Sequence, residues 1–123
     1  MDVRLKRAYE PASAEDGYRV LVDRLWPRGV SKEQAKLDAW DQELAPSSEL
    51  REWFGHEPDR FAEFRRRYID ELRANRSRLQ ELRRRARTAT LTLVYSAHDS
   101  EHNDAVVLAE VLRRGLPKSD RPR

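Results

Sequence analysis

The sequence predicts a small single-domain α/β fold in which a short, mainly parallel sheet is flanked by helices. Two observations carry that expectation. Strand-like and helix-like segments alternate along the chain, and 123 residues with 38% apolar content leave room for one modest core. Residues 1–117 are read as the domain and 118–123 as a disordered tail.

Each element has its own signal. Segment 3–9 sets Val3 and Leu5 against Arg4 and Lys6, the two-residue period of a strand. Pro11, Ser13, Asp16 and Gly17 mark a loop. A short apolar strand follows over 19–22, stopped by Trp26-Pro27-Arg28-Gly29. Ser31 with Gln34 three residues on forms a capping box for a helix through Leu37. Residues 38–46 read equally as strand or loop. Ser47 or Ser48 caps a helix bearing Leu50, Trp53 and Phe54, closed by Gly55. Pro58 opens another helix to about Arg73, with Phe61, Phe64, Tyr68 and Leu72 on one face. A further helical stretch, broken near Asn75, carries Leu79, Leu82 and Ala86. Segment 90–95, Thr-Leu-Thr-Leu-Val-Tyr, is the clearest strand. The last helix is expected from about Glu101 to Arg114, capped by Asp99 or Ser100 and stopped by Gly115 and Pro117. Its apolar residues wrap most of its circumference, as in a helix buried on several sides.

Composition excludes several classes. No run of about 18 apolar residues spans a bilayer, and the N-terminus lacks the apolar stretch of a secretory signal. A cytoplasmic location without membrane association is the expectation. With no cysteine there are no disulfides, thiolate nucleophiles or cysteine-based metal sites. The net charge of +3 is unevenly spread: residues 60–87 hold eleven arginines against four acids.

In an open parallel sheet, ligands lie beyond the carboxyl ends of the strands. Two such ends carry polar clusters. In the first, Asp23 can fix a guanidinium, Pro27 stiffens the turn and Gly29 opens backbone conformations other residues resist. Arg24 and Arg28 can then grip a phosphate or carboxylate through paired N–H donors, with Trp26 beside them. The alternative is a turn held by an Asp–Arg pair and anchored by Trp26. In the second cluster, Tyr95 and Ser96 offer hydroxyls, Asn103 an amide, and His102 and Asp99 acid–base groups. Arg65 falls on the apolar face of its helix, where an unpaired charge is costly, so it needs a partner or a ligand.

Other chemistries fit poorly. His98-Asp99-Ser100-Glu101-His102 resembles a zinc-binding His-Glu-x-x-His, but the helix starts between the histidines and aspartate is a methylene short. No metal and no cofactor is expected. Ser96 with His98 or His102 and Asp99 supplies the residue types of a hydrolase, crowded into a few positions and without a Gly-x-Ser-x-Gly elbow. The run Arg83-Arg84-Arg85 with Arg87 could hold nucleic acid electrostatically, yet it lacks interleaved aromatics and fits a solvated helix face.

A resemblance adds to this reading. Asp16-Gly17-Tyr18-Arg19-Val20-Leu21-Val22-Asp23-Arg24-Leu25-Trp26-Pro27-Arg28-Gly29 is followed in order by Leu44-Ala45-Pro46-Ser47, Trp53-Phe54-Gly55-His56 and Phe64-Arg65-Arg66-Arg67-Tyr68. Thr92-Leu93-Val94-Tyr95-Ser96-Ala97-His98-Asp99 and His102-Asn103-Asp104-Ala105-Val106-Val107-Leu108 complete the set. Together they resemble the YeaO-like group of the bacterial family called domain of unknown function 488, over nearly the whole chain. The resemblance implies a small cytoplasmic α/β domain and no assigned activity. Some family members carry the label transcriptional regulator, but no helix-turn-helix is legible here. A longer branch shares Asp23-Arg24 and Pro27 but has a cysteine near the second cluster, so its cysteine chemistry is not available to this chain.

The expectation is therefore a pocket between the two strand ends that binds a small anionic ligand, phosphorylated or carboxylated. Arg24, Arg28 and Arg65 supply positive charge, Trp26, Tyr95, Ser96 and Asn103 line it, and Asp23, Pro27 and Gly29 shape it. Were it an enzyme, His102 or Asp99 would be the acid–base group. The alternatives are a nucleic-acid binder using residues 60–87, and a protein-interaction module exposing Trp40, Trp53 and Phe54.

Overall fold

Four strands form one parallel sheet in the order β1-β4-β2-β3. The computed structural model describes residues 1–118, so of the expected tail only Lys118 is described and 119–123 lie outside. The strands are β1 (Asp2–Arg7), β2 (Tyr18–Leu21), β3 (Ala39–Trp40) and β4 (Thr90–Tyr95). The helices are α1 (Lys32–Ala35), α2 (Ser48–Phe54), α3 (Phe61–Leu72), α4 (Arg76–Thr88) and α5 (Asp104–Arg114). β4 lies at the centre, pairing Val3 with Leu91 and Leu5 with Leu93 on one side, and Val20 with Leu93 on the other.

Register explains the layering. Alternate side chains of a strand face opposite ways. Val3, Val20, Leu91, Leu93 and Tyr95 join one large core with Phe64, Tyr68, Leu72, Leu82, Leu108 and Leu112 from α3, α4 and α5. The opposite face has a small cluster of Ala8, Leu21 and Val94, covered in part by Trp26 and Leu37. A buried ion pair completes that thinner side. Arg19, 3% exposed, donates to Asp16 at 2.7 Å and twice to the Ala35 carbonyl, at 3.1 and 2.8 Å. Gly17 sits at φ +63°, and a Cβ there would collide with the Thr90 carbonyl oxygen.

Several boundaries differ from the sequence reading, each for a local reason. Residues 39–40 form a two-residue strand, held by Val20 and Leu21 of its neighbour. The helix capped by Ser31 ends at Ala35, because Lys36 turns left-handed at φ 45°. A 3₁₀ turn over Pro58–Arg60 precedes α3, and another over Arg73–Asn75 separates α3 from α4. The last helix begins at Asp104 and not at Glu101. Its cap is Asn103, whose side chain accepts from Val106 N at 2.9 Å and donates to Asp99 O at 2.8 Å. Asp99 instead closes a turn, accepting from the amides of Glu101 and His102. Ser47 and Gly55 cap α2 as expected, with Gly55 at φ 53°. No described helix is long and apolar enough to cross a membrane.

Candidate functional site

A cavity of about 550 Å³ opens beyond the carboxyl ends of β1, β2 and β4. Its floor is made by Asp23, Ser96, Asn103 and Asp104, and its apolar wall by Trp26, Pro27, Pro46, Phe54 and Phe64. Arg7, Arg28, Arg51, His56 and His98 supply its basic groups. A concave, partly apolar space with a few convergent polar groups is the usual form of a small-molecule site.

The segment after β2 is held rigid by backbone-directed bonds. Trp40 Nε1 donates to Asp23 O at 2.7 Å and Gln42 Nε2 to Arg24 O at 3.1 Å. Trp26 Nε1 reaches Val30 O at 2.6 Å, and its ring meets Trp40 edge-on at 5.4 Å. Tyr9, beyond β1, donates its hydroxyl to Arg28 O at 3.1 Å. These four bonds fix the turn from both sides, so the residues facing the cavity are preorganised.

On the floor, Asp23 Oδ2 accepts from both the amide and the hydroxyl of Ser96, each at 2.8 Å. That contact joins the end of β2 to the end of β4. Beside it, Asp104 accepts from Ala105 N at 2.8 Å and lies close enough to Asp23 for the two carboxyls to interact. Asp104 lines the cavity and is half-buried. Burial, reinforced by the Asp23 charge, pushes its carboxyl well above the usual carboxylate range. Both acids also push up the buried Tyr68 phenol, after burial itself, while that phenol donates to Leu44 O at 2.5 Å.

The basic groups differ in how free they are. Arg7 is committed: it donates to Ala97 O at 2.9 Å and Ser96 O at 3.4 Å, and lies 5.0 Å from the Tyr9 ring centre. His98 Nδ1 meets Arg7 at 3.5 Å. Arg28 and Arg51 are exposed, and neither guanidinium has a carboxylate or carbonyl partner among the described residues. His56 stands at φ 58° after the left-handed Gly55, its ring 6.2 Å from Phe54.

The site expected from sequence is only partly assembled. Asp23, Trp26, Pro27, Arg28, Ser96 and Asn103 face one cavity. Gly29, at φ +78°, shapes the turn without lining it. Arg24 turns away to the carbonyls of Pro46 and Ala45, at 3.0 and 3.4 Å, and staples one loop to another. Arg65 pairs across α3 and α5 with Glu110, both half-exposed. His102 binds Asp99 at 2.8 Å and packs edge-on against Phe61, while Tyr95 is buried in the core below. Arg24, Arg65, Tyr95, Asp99 and His102 are therefore not among the described residues that line the cavity, and the expected convergence of Arg24, Arg28, Arg65 and His102 does not occur. Among the described residues no group of three or more histidines and acids could hold a metal ion.

Arg7, Arg51, His56 and Asp104 enter the site without having been singled out from sequence, and His98 was weighed there only for zinc and hydrolase chemistry. Arg7 had a legible signal, since β1 also ends there and the strand-end rule applies to it equally. Asp104 reads in sequence as an ordinary acidic residue in a first helical turn.

Comparison with known proteins settles kinship. Residues 2–123 match a family model, DUF488-N3i, described as the inactive DUF488-N3 subclade. The chain belongs to this DUF488 family. It is similar to the uncharacterized protein YeaO of Escherichia coli (strain K12), 47% identical over 92% of this chain and 98% of that one. It is also similar to the uncharacterized proteins Rv3073c of Mycobacterium tuberculosis (strain ATCC 25618 / H37Rv) and Mb3100c of Mycobacterium bovis (strain ATCC BAA-935 / AF2122/97). Each is 43% identical over 89% of this chain and 92% of its own. No solved structure matches. As a DUF488 member the chain has kin along nearly its whole length, the cavity-forming segments included.

Proposed function

We propose that the cavity binds a small anionic ligand, with Arg28 and Arg51 as its anion grip. The observation that carries this is their lack of partners: both arginines line one concave space, and no described residue pairs with either guanidinium. Guanidiniums bind phosphate and carboxylate through paired donors, and the fixed turn around Arg28 lowers the cost of ordering it. The family model's description as inactive favours binding without turnover. So does the position of His102, which is tied to Asp99 outside the cavity. The nucleic-acid alternative loses support from the same geometry, since Arg66, Arg67, Arg73 and Arg78 already bond to Glu63, Asp70, Asp41 or Glu81.

Calorimetric titration with inorganic phosphate and short dicarboxylates tests the reading. Arg28→Ala and Arg51→Ala should each weaken binding about tenfold or more, while Arg84→Ala leaves it unchanged. Binding that depends on Arg84 and not on Arg28 or Arg51 would move the function to the basic helical stretch.

A further inference from the structure

The cavity holds unmatched charges of both signs. Among the described residues Arg28 and Arg51 pair with no acid, and neither the Asp23 nor the Asp104 carboxyl takes part in an ion pair. Arg7, the other guanidinium in the lining, is occupied by the Ala97 and Ser96 carbonyls. Two adjacent carboxyls in a surrounded site are costly unless a proton or a cation separates them.

The hydrogen bonds fix what the floor can accept. Asp23 Oδ2 is filled by Ser96 N and Oγ, and Asp104 takes Ala105 N. The remaining carboxyl lone pairs and the Ser96 hydroxyl oxygen are acceptors. We propose that the ligand is bipolar, a phosphorylated or carboxylated amine whose anionic group lies at Arg28 and Arg51 and whose ammonium lies on Asp23 and Asp104. This rests on the anion-site reading and adds the second pole. The other polar or titratable groups near the pair are Tyr68, Tyr95, Ser96, Arg7 and His98. Trp26, Pro27, Phe54 and Phe64 suit the apolar chain that links the two poles.

The test uses the full chain and two matched probe series, ω-aminoalkyl phosphates and ω-hydroxyalkyl phosphates from ethyl to hexyl. The amino series should bind at least about tenfold tighter than the hydroxy series at one chain length. Asp104→Asn should reduce the preference, while binding of the hydroxy series persists. Asp23→Asn, which keeps an acceptor for Ser96, should reduce the preference too. Equal affinity for the two series, or a preference unchanged in both variants, overturns the bipolar ligand and leaves the anion site standing. Failure of inorganic phosphate and both series to bind overturns both.

Discussion

The Asp23 carboxylate and Ser96 are bound twice, through amide and hydroxyl, at 2.8 Å each. One contact thereby couples the ends of β2 and β4 and sets the floor of the cavity. Hydrogen bonds to an ionised acceptor are stronger than neutral ones. Ser96→Ala removes the hydroxyl bond and keeps the amide bond. Urea denaturation should show a loss of about 1.5 kcal/mol.

Asp104 makes stability depend on pH in an unusual direction for a carboxyl. Its folded pKa lies above the unfolded value, because burial and Asp23 both favour the protonated form. The stability contributed by that proton is fully present below about pH 4 and is lost as pH rises through the folded value. Asp104→Asn cannot titrate, but can still donate to Asp23 and accept from Ala105. Melting temperatures measured from pH 4 upward should diverge progressively in favour of the variant. Parallel curves for the two proteins would contradict a raised Asp104 carboxyl.

Arg24 ties one loop to another. Its two bonds to the Pro46 and Ala45 carbonyls are lost in Arg24→Ala, which should cost about 1–2 kcal/mol in chemical denaturation. Phosphate affinity should fall less than in Arg28→Ala. A larger fall with unchanged stability would return Arg24 to the anion grip.

The buried pair of Arg19 and Asp16 holds the thin side of the sheet. Arg19→Met leaves the Ala35 carbonyl without its two guanidinium bonds and Asp16 without its nearest cation, although Lys6 and Ser13 still donate to Asp16. The expected loss is about 3 kcal/mol, read from the urea midpoint.

Much of the fold was legible because its signals are local. The run Thr-Leu-Thr-Leu-Val-Tyr announces β4, and Ser31, Ser47 and Gly55 cap the helices they were expected to cap. β3 was not legible, since two residues carry no period and only pairing with Val20 and Leu21 makes them a strand. The site was harder for the same reason. Arg24 and Arg28 flank one turn with similar chemistry, and only the packed path of residues 45–46 decides which one it occupies. Arg65 was expected to need a partner, but its partner Glu110 lies on another helix. Asp104 gains its meaning from Asp23, far away in sequence.

The strand order also governs how the chain comes into being. β1 and β2 are not neighbours, and among the described residues β1 finds its sheet partner in β4. During synthesis the first strand therefore waits, unpaired, until Thr90–Tyr95 has left the ribosome. The floor of the cavity waits with it, because Ser96 and Asp104 follow that strand in the chain. A fragment ending before β4 lacks the central strand of the four-stranded sheet and the Ser96 and Asp104 side of the cavity, so both are completed late in the chain.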